Sequence, residues 1–236
     1  MATSPRRTPV SRTRGTSRGS ARRAPPSKPE LPADGNFSQR QQEVLGAALD
    51  ELVESGDGMT MTAVAGRANC SKETLYKWFG DRDGLLTATV QWQASRVRAP
   101  QVDKAGLDAR GLKNALGQFA DDLLTTLTGD VSVTLNRLAI SHANDIGGIM
   151  LRHGPSAVRK RVMPVLEAAK SAKLLKFSDA EEAYRTFYGL VVRDLQIRQL
   201  LGEKARKSPA KISAEAETAT GQFLALYGSA VPRKTR

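Results

Sequence analysis

Apolar residues recur at helical spacing along almost the whole of this chain. An early example is the set Val44, Leu45, Ala48, Leu49 and Leu52, whose members stand three or four positions apart and share one helix face. No segment of useful length alternates polar and apolar residues with the two-residue period of a half-buried strand. The sequence therefore predicts an all-α fold without an internal repeat.

Capping residues and glycines divide this pattern into helices. Ser38 and Gln41 have the spacing of a capping box, Thr60 and Ser71 are N-cap candidates, and Gly80 is expected to end a helix. The helices predicted in the first part cover about 39–55, 61–68, 72–79 and 82–98. Those predicted in the second part cover about 112–127, 131–143, 156–173, 179–201 and 209–227.

Three details of the second part are further expectations. Gly147 and Gly148 should interrupt the chain before the helix at 156–173. Ser178 and Glu181 should form a capping box that opens one uninterrupted helix over 179–201. Ser208 followed by Pro209 should start the last helix.

Composition predicts four parts along the chain. Residues 1–36 are rich in Pro, Ser and Arg and poor in apolar residues, so they should form a disordered basic arm. A small helical domain is expected over 37–84 and a larger one over 85–228. Residues 229–236 should form a short disordered tail.

Several functional classes find no support in the sequence. A single cysteine, Cys70, allows no intrachain disulfide, and no stretch approaches the ~18 apolar residues of a membrane span. Because the N-terminus lacks a secretory apolar stretch, a cytoplasmic location without membrane contact is expected. The two histidines, His142 and His153, have no nearby cysteine or acidic cluster, so no metal or cofactor is expected. No nucleophile with a base, phosphate loop or carboxylate pair stands out, and we expect no enzyme activity.

Residues 60–86 read as two short helices joined by a tight turn. In the second of them, Leu75 and Phe79 are four apart and should pack inward. The tip of this helix offers free N–H groups and a dipole that attract phosphate. The side chains expected to face outward are Lys72, Glu73, Thr74, Tyr76 and Lys77. A helix of this kind can enter a DNA major groove, although the same pattern also fits an ordinary surface hairpin. Glu73 has two interpretations, a contact to a cytosine amine and a favourable charge at the helix N-terminus.

This segment resembles the DNA-binding signature of the TetR/AcrR family of bacterial one-component regulators. The matching residues are Thr60, Ala65, Ala68, Ser71, Thr74, Leu75, Tyr76, Phe79, Leu85 and Leu86. The family's turn glycine is replaced by Asn69, its buried valine by Cys70, and its His-Tyr pair by Lys77 and Trp78. The resemblance, together with the outward face, assigns DNA contacts to Thr60, Thr62, Ser71, Lys72, Glu73, Thr74, Tyr76, Lys77, Trp78 and Arg82.

The resemblance also implies the remaining architecture: a three-helix helix-turn-helix domain followed by a larger helical dimerisation and ligand domain. The stretch from Pro155 to Gly202 is similar to the AefR-like subgroup. A homodimer interface is expected from the last two long helices, with contacts from Tyr184, Phe187, Val191, Leu195, Phe223 and Leu226. A ligand cavity is expected from Trp92, Phe119, Leu123, Leu127, Leu138 and Met150, which would serve equally well as plain core.

These observations predict a transcriptional regulator that binds a palindromic DNA operator as a dimer and represses transcription. An unidentified small molecule would release it from the operator. The alternative is an architectural DNA-binding protein without ligand response. Half of the formal net charge of +12 lies in residues 1–36, which contain eight basic and two acidic residues. This arm would either contact DNA beside the folded domain or act as a solvated tail.

Overall fold

The computed structural model describes residues 29–32, 35–103, 106–141, 146–203 and 208–229, and within these segments the chain forms eleven α-helices. The helices are α1 Gln39–Ser55, α2 Met61–Arg67, α3 Lys72–Phe79, α4 Arg82–Ser95, α5 Ala109–Leu127, α6 Asp130–Ser141, α7 Ile146–His153, α8 Pro155–Ser171, α9 Ala180–Val192, α10 Leu195–Leu200 and α11 Pro209–Tyr227. The described residues contain one isolated β-bridge, between Leu175 and Gly228, and no strand. The all-α prediction is confirmed. Most of the expected arm and tail lies outside the described residues.

The local capping signals account for several helix starts. Ser38 and Gln41 form both hydrogen bonds of a capping box at α1. The side chains of Thr60, Ser71 and Asp81 accept hydrogen bonds from backbone N–H groups in the first turns of α2, α3 and α4. These caps depend on residues three positions apart, so they were readable from the sequence.

Three predictions about the second part are wrong, and the first two concern Gly147 with Gly148 and the start of α9. Gly147 and Gly148 lie inside α7, because the burial of Ile146 and Ile149 outweighs the low helix propensity of glycine. The N-cap of α9 is Asp179, whose carboxylate accepts from the Glu181 N–H, so Ser178 forms no capping box.

The helix expected over 179–201 is also interrupted. It breaks between α9 and α10 at Arg193, which adopts φ 48°. The Arg193 guanidinium donates to the Leu190 carbonyl and to the Gln222 side chain of α11. A bond back to α9 and a bond to α11 thus hold a backbone conformation that an arginine rarely adopts.

The helices enclose two hydrophobic cores. The first joins α1–α4 to α6 and α7, through residues such as Leu45, Leu75, Leu86 and Leu135. The second packs α5, α8, α9 and α11 around Phe119, Phe187 and Phe223. Phe187 lies with its ring centroid 5.1 Å from that of Phe223 and 6.2 Å from that of Phe119.

Helix α4 connects α1–α3 to the second half of the chain. Its first turn follows α3 directly, and its last turns pack against α7 and α8. The predicted domain boundary between residues 84 and 85 falls within this helix. No helix in the described segments is long and apolar enough to cross a membrane.

Candidate nucleic-acid interface and ligand cavity

The turn between α2 and α3 is held by a local hydrogen bond and by two hydrogen bonds from α1. Asn69 adopts φ 48°, and the Cys70 N–H donates to the Ala65 carbonyl at 3.0 Å. From α1, the Arg40 guanidinium donates to the carbonyls of Ala68 at 2.7 Å and Asn69 at 3.1 Å. The carbonyls at the end of α2 are thereby satisfied from a separate helix. Sequence reasoning missed this role of Arg40, because the bond spans 28 positions of the chain.

Helix α3 buries one face and exposes the other. Leu75 and Phe79 are almost completely buried, whereas Tyr76 is 49% exposed. Lys72, Glu73 and Lys77 are exposed and Thr74 is half-buried. The outward positions expected from the sequence are therefore clustered on one side of a short helix, with its N-terminus capped by Ser71.

Glu73 lies at the N-terminal end of α3. Its pKa is lowered by a hydrogen bond from its own backbone N–H and by one from the Ser71 side chain. A carboxylate held in this way complements the free N–H groups of the helix start. This geometry accounts for the helix-stabilising interpretation of Glu73, and a contact from its exposed carboxylate to a base stays a prediction.

The other residues expected at DNA have differing environments. Thr60 and Thr62 are exposed at the start of α2, where the Thr60 hydroxyl accepts from the Ala63 N–H at 3.1 Å. Trp78 is half-buried and packs edge-on against Phe79, with 6.2 Å between ring centroids. The Arg82 Nε donates to the Met59 carbonyl at 3.2 Å, so this side chain holds α4 to the segment before α2.

A cavity of about 90 Å³ lies between the helices α4 to α10. Three of the six residues predicted for a ligand pocket, Leu123, Leu127 and Met150, are among the residues that line this cavity. The other three are not among its lining residues. Trp92 and Leu138 pack in or against the first core, and Phe119 packs in the second.

Polar side chains that the sequence analysis did not identify also line this cavity. They are Gln93, Thr126, Ser132, Asn136, Tyr188 and Gln196. The Asn136 Nδ2 donates to the Ser132 carbonyl at 2.7 Å, and burial raises the pKa of the Tyr188 hydroxyl. Helical periodicity places polar residues on the surface, so no sequence signal indicated that these would face an interior space.

Most of the residues expected at a dimer interface are buried within their own chain. Phe187, Val191, Phe223 and Tyr184 lie in the second core of their own chain, with at most 7% of each residue exposed. Side chains that are covered within one chain present no surface to a second subunit. Leu195 is half-buried against the same core, whereas Leu226 is 65% exposed. Of the six, only Leu226 presents a large apolar surface on the outside.

Comparisons with known proteins agree with this arrangement. The model of the AefR-like transcriptional repressor C-terminal domain matches residues 114–229. A solved TetR transcriptional regulator from Agrobacterium tumefaciens is 46% identical, with TM-score 0.69, and the alignment covers 82% of this chain and 97% of that one. The Flavonoid-responsive Regulator FrrA is 26% identical with TM-score 0.60, over 81% of this chain and 98% of its own.

A curated relative matches a shorter part of the chain. The HTH-type transcriptional regulator BetI of Burkholderia cenocepacia is 39% identical over 75 residues. This match spans 29% of the chain and 39% of BetI. Together with the extended alignment to the Agrobacterium regulator, the helix-turn-helix and the matched C-terminal domain identify this chain as a member of the TetR family of transcriptional regulators, with an AefR-like C-terminal domain.

Proposed function

We propose that this regulator binds a palindromic operator in double-stranded DNA as a homodimer and thereby represses transcription. The observation that carries the proposal is the exposed face of α3, where Lys72 lies at the capped helix N-terminus and Tyr76 and Lys77 follow further along the same helix. The helix N–H groups, the two ammonium groups and the phenol can all contact phosphate oxygens, and Thr74 can reach a base edge. Residues 37–84 would form the DNA-binding domain. Residues 85–228 would form the dimerisation and ligand-binding domain.

A dimer is needed to place two copies of α3 in successive major grooves. Such grooves lie about 34–36 Å apart on one face of DNA. The exposed sides of α9 and α11 are the candidate interface, with Leu226 as its largest exposed apolar side chain. Two helices from each subunit would then form a four-helix arrangement.

Release by a small molecule would act through α4. Val90, Gln93 and Ala94 of this helix line the cavity, while Leu85 and Leu86 near its other end pack in the core that contains α3. A ligand that prefers a different position of α4 would lower the population of the DNA-binding conformation. The name of FrrA, a flavonoid-responsive relative, supports a small-molecule response of this kind.

The test of DNA binding compares substitutions on and off the exposed face of α3. We expect Tyr76→Ala and Lys77→Ala each to weaken operator binding by about tenfold or more, because each removes a contact to DNA. Lys113→Ala, at an exposed position of α5, is the matched control and should leave affinity unchanged. Undiminished binding by both α3 variants would remove this helix from the DNA interface.

The alternative function is an architectural DNA-binding protein that uses the basic arm for mostly nonspecific affinity. The two functions differ in the ratio of operator to random-DNA affinity, which should reach roughly a thousandfold or more for a sequence-specific regulator. A ratio near one would favour the architectural function. Either function would place the protein with the DNA in the cytoplasm.

A further inference from the structure

The cavity beside α4 contains an unusual combination of an apolar wall and one unsatisfied amide oxygen. Gln93 is 6% exposed, lines the cavity, and its Oε1 has no hydrogen-bond partner in the described part of the chain. Most buried polar atoms in proteins have a partner, because leaving an acceptor unpaired and dry destabilises the fold. A donor from outside the chain, either a water molecule or a ligand, can satisfy an acceptor in this position.

The absence of charged side chains in the described cavity walls indicates which kind of ligand can carry that donor. The described residues around the cavity include no Asp, Glu, Lys, Arg or His. An ionised ligand would lose its hydration without gaining a counter-charge, which costs far more than burying a neutral molecule. The remaining surface comes mainly from apolar side chains such as Val90, Leu123, Leu135 and Val158.

The small volume of the cavity connects ligand binding to the position of α4. The cavity of about 90 Å³ is smaller than the ~150 Å³ cavity in which an apolar protein site accepts benzene. A single-ring ligand held inside the cavity would therefore push its walls apart. One of these walls is α4, through Gln93 and Ala94.

We infer that the effector is a neutral, mainly apolar molecule of about single-ring size that donates one hydrogen bond, from a hydroxyl or amine, to Gln93 Oε1. This inference rests on the proposed function for its regulatory meaning, but the ligand chemistry is measured independently of DNA. Binding of the effector satisfies the buried acceptor and displaces α4 at the same time. The amide thus selects the ligand, and the limited volume couples its binding to the DNA-binding segment.

The experiment is a calorimetric titration of the full-length protein, without DNA, with phenol, toluene and benzoate. These probes share one ring and differ in carrying a neutral donor, no donor, or a negative charge. We expect phenol to bind about tenfold more tightly than toluene, as one hydrogen bond to an otherwise unpaired acceptor predicts, and benzoate to bind most weakly. Gln93→Leu should reduce the phenol-to-toluene ratio to about one.

Gln91→Leu is the matched control. Gln91 lies on the same helix, is 7% exposed and also has an unpartnered Oε1, but it does not line the cavity. This variant should keep the preference for phenol. Equal affinities for phenol and toluene in the wild type, preferred binding of benzoate, no binding of any probe, or an unchanged ratio in Gln93→Leu would each overturn the inference. A failure of the proposed function would look different, because the phenol preference would persist in a protein that selects no operator.

Discussion

Gly84 approaches the backbone of Phe79 so closely that a side chain cannot be accommodated between them. A Cβ built on Gly84 would lie 1.8 Å from the Phe79 carbonyl oxygen, a distance that no real Cβ shows. Gly84 also donates its N–H to the Asp81 carboxylate at 2.8 Å, which caps α4. The contact therefore limits the angle between α3 and α4, and with it the direction of the exposed face of α3 that we propose binds DNA.

We expect Gly84→Ala to destabilise the protein by about 1–3 kcal/mol, because the new methyl group forces backbone rearrangement between α3 and α4. The control is Gly117→Ala in α5, where a Cβ meets nothing within 4 Å. That substitution should raise stability by about 0.5–1 kcal/mol, since alanine favours the helix. Denaturant unfolding measures both, and equal stability of the two variants would contradict the close approach at Gly84.

Substitutions at Phe187 and Leu226 distinguish the chain's own core from the proposed dimer surface. Phe187 is completely buried, so Phe187→Ala should lower the free energy of unfolding by about 3–5 kcal/mol. Leu226 is 65% exposed, so Leu226→Glu should fold while its charge disfavours burial against a second subunit.

Sedimentation and circular dichroism distinguish these two outcomes. We expect Leu226→Glu to sediment as a monomer with unchanged helix content. A variant that remained dimeric would exclude Leu226 from the interface. Full stability of Phe187→Ala would contradict its assignment to the core.

A third prediction concerns acid stability. Burial raises the pKa of Asp122, but hydrogen bonds from the Arg98 and Gln118 side chains outweigh it, and the net pKa is lower than the ordinary value of 3.8. A lowered pKa stabilises the folded state above the pKa of the unfolded chain, and this contribution is lost as pH falls through the folded pKa.

Asp122→Asn should therefore cost on the order of 1 kcal/mol at about pH 7, and the difference from the wild type should shrink as pH falls below about 4. The value is modest because the Arg98 side chain is 69% exposed. Thermal unfolding across this pH range provides the check. A difference that stayed constant with pH would show that the carboxylate charge does not stabilise the fold.

The fourth prediction tests the basic arm. Removing residues 1–28 leaves Phe37, which is buried in the first core, in place. Because the deleted segment is rich in arginine, the slope of log affinity against log salt should become shallower if the arm contacts phosphates. Fluorescence anisotropy with operator DNA at several salt concentrations gives the slope. An identical slope would identify the arm as a solvated tail.

The DNA-binding segment could be read from the sequence because its structure is determined locally. Ser71 caps α3 three residues before Thr74, and Leu75 and Phe79 fix its buried face through helical spacing alone. The family resemblance added the identity of the motif. None of this required knowledge of distant contacts.

The parts that could not be predicted depend on contacts between distant segments. The helix break occurs at an arginine, Arg193, so no glycine or proline at that position indicates it. The Arg193 side chain is held by a hydrogen bond to Gln222 of another helix. The apolar stripe that includes Phe187 indicated burial, but it did not say whether the partner was α11 of the same chain or a second subunit. Gln93 was missed for the same reason, since a buried amide is indistinguishable from a surface amide in a periodic pattern.

Selection of bound fragments from the source genome measures whether a dimer binds DNA sequence-specifically through α3. The full-length protein would be used at about 150 mM salt, where nonspecific phosphate binding is weakened. We predict enrichment of a short palindrome with half-sites about one DNA turn apart, and loss of this motif with Tyr76→Ala and Lys77→Ala together. Broad enrichment without a shared motif, unchanged in that double variant, would contradict the account.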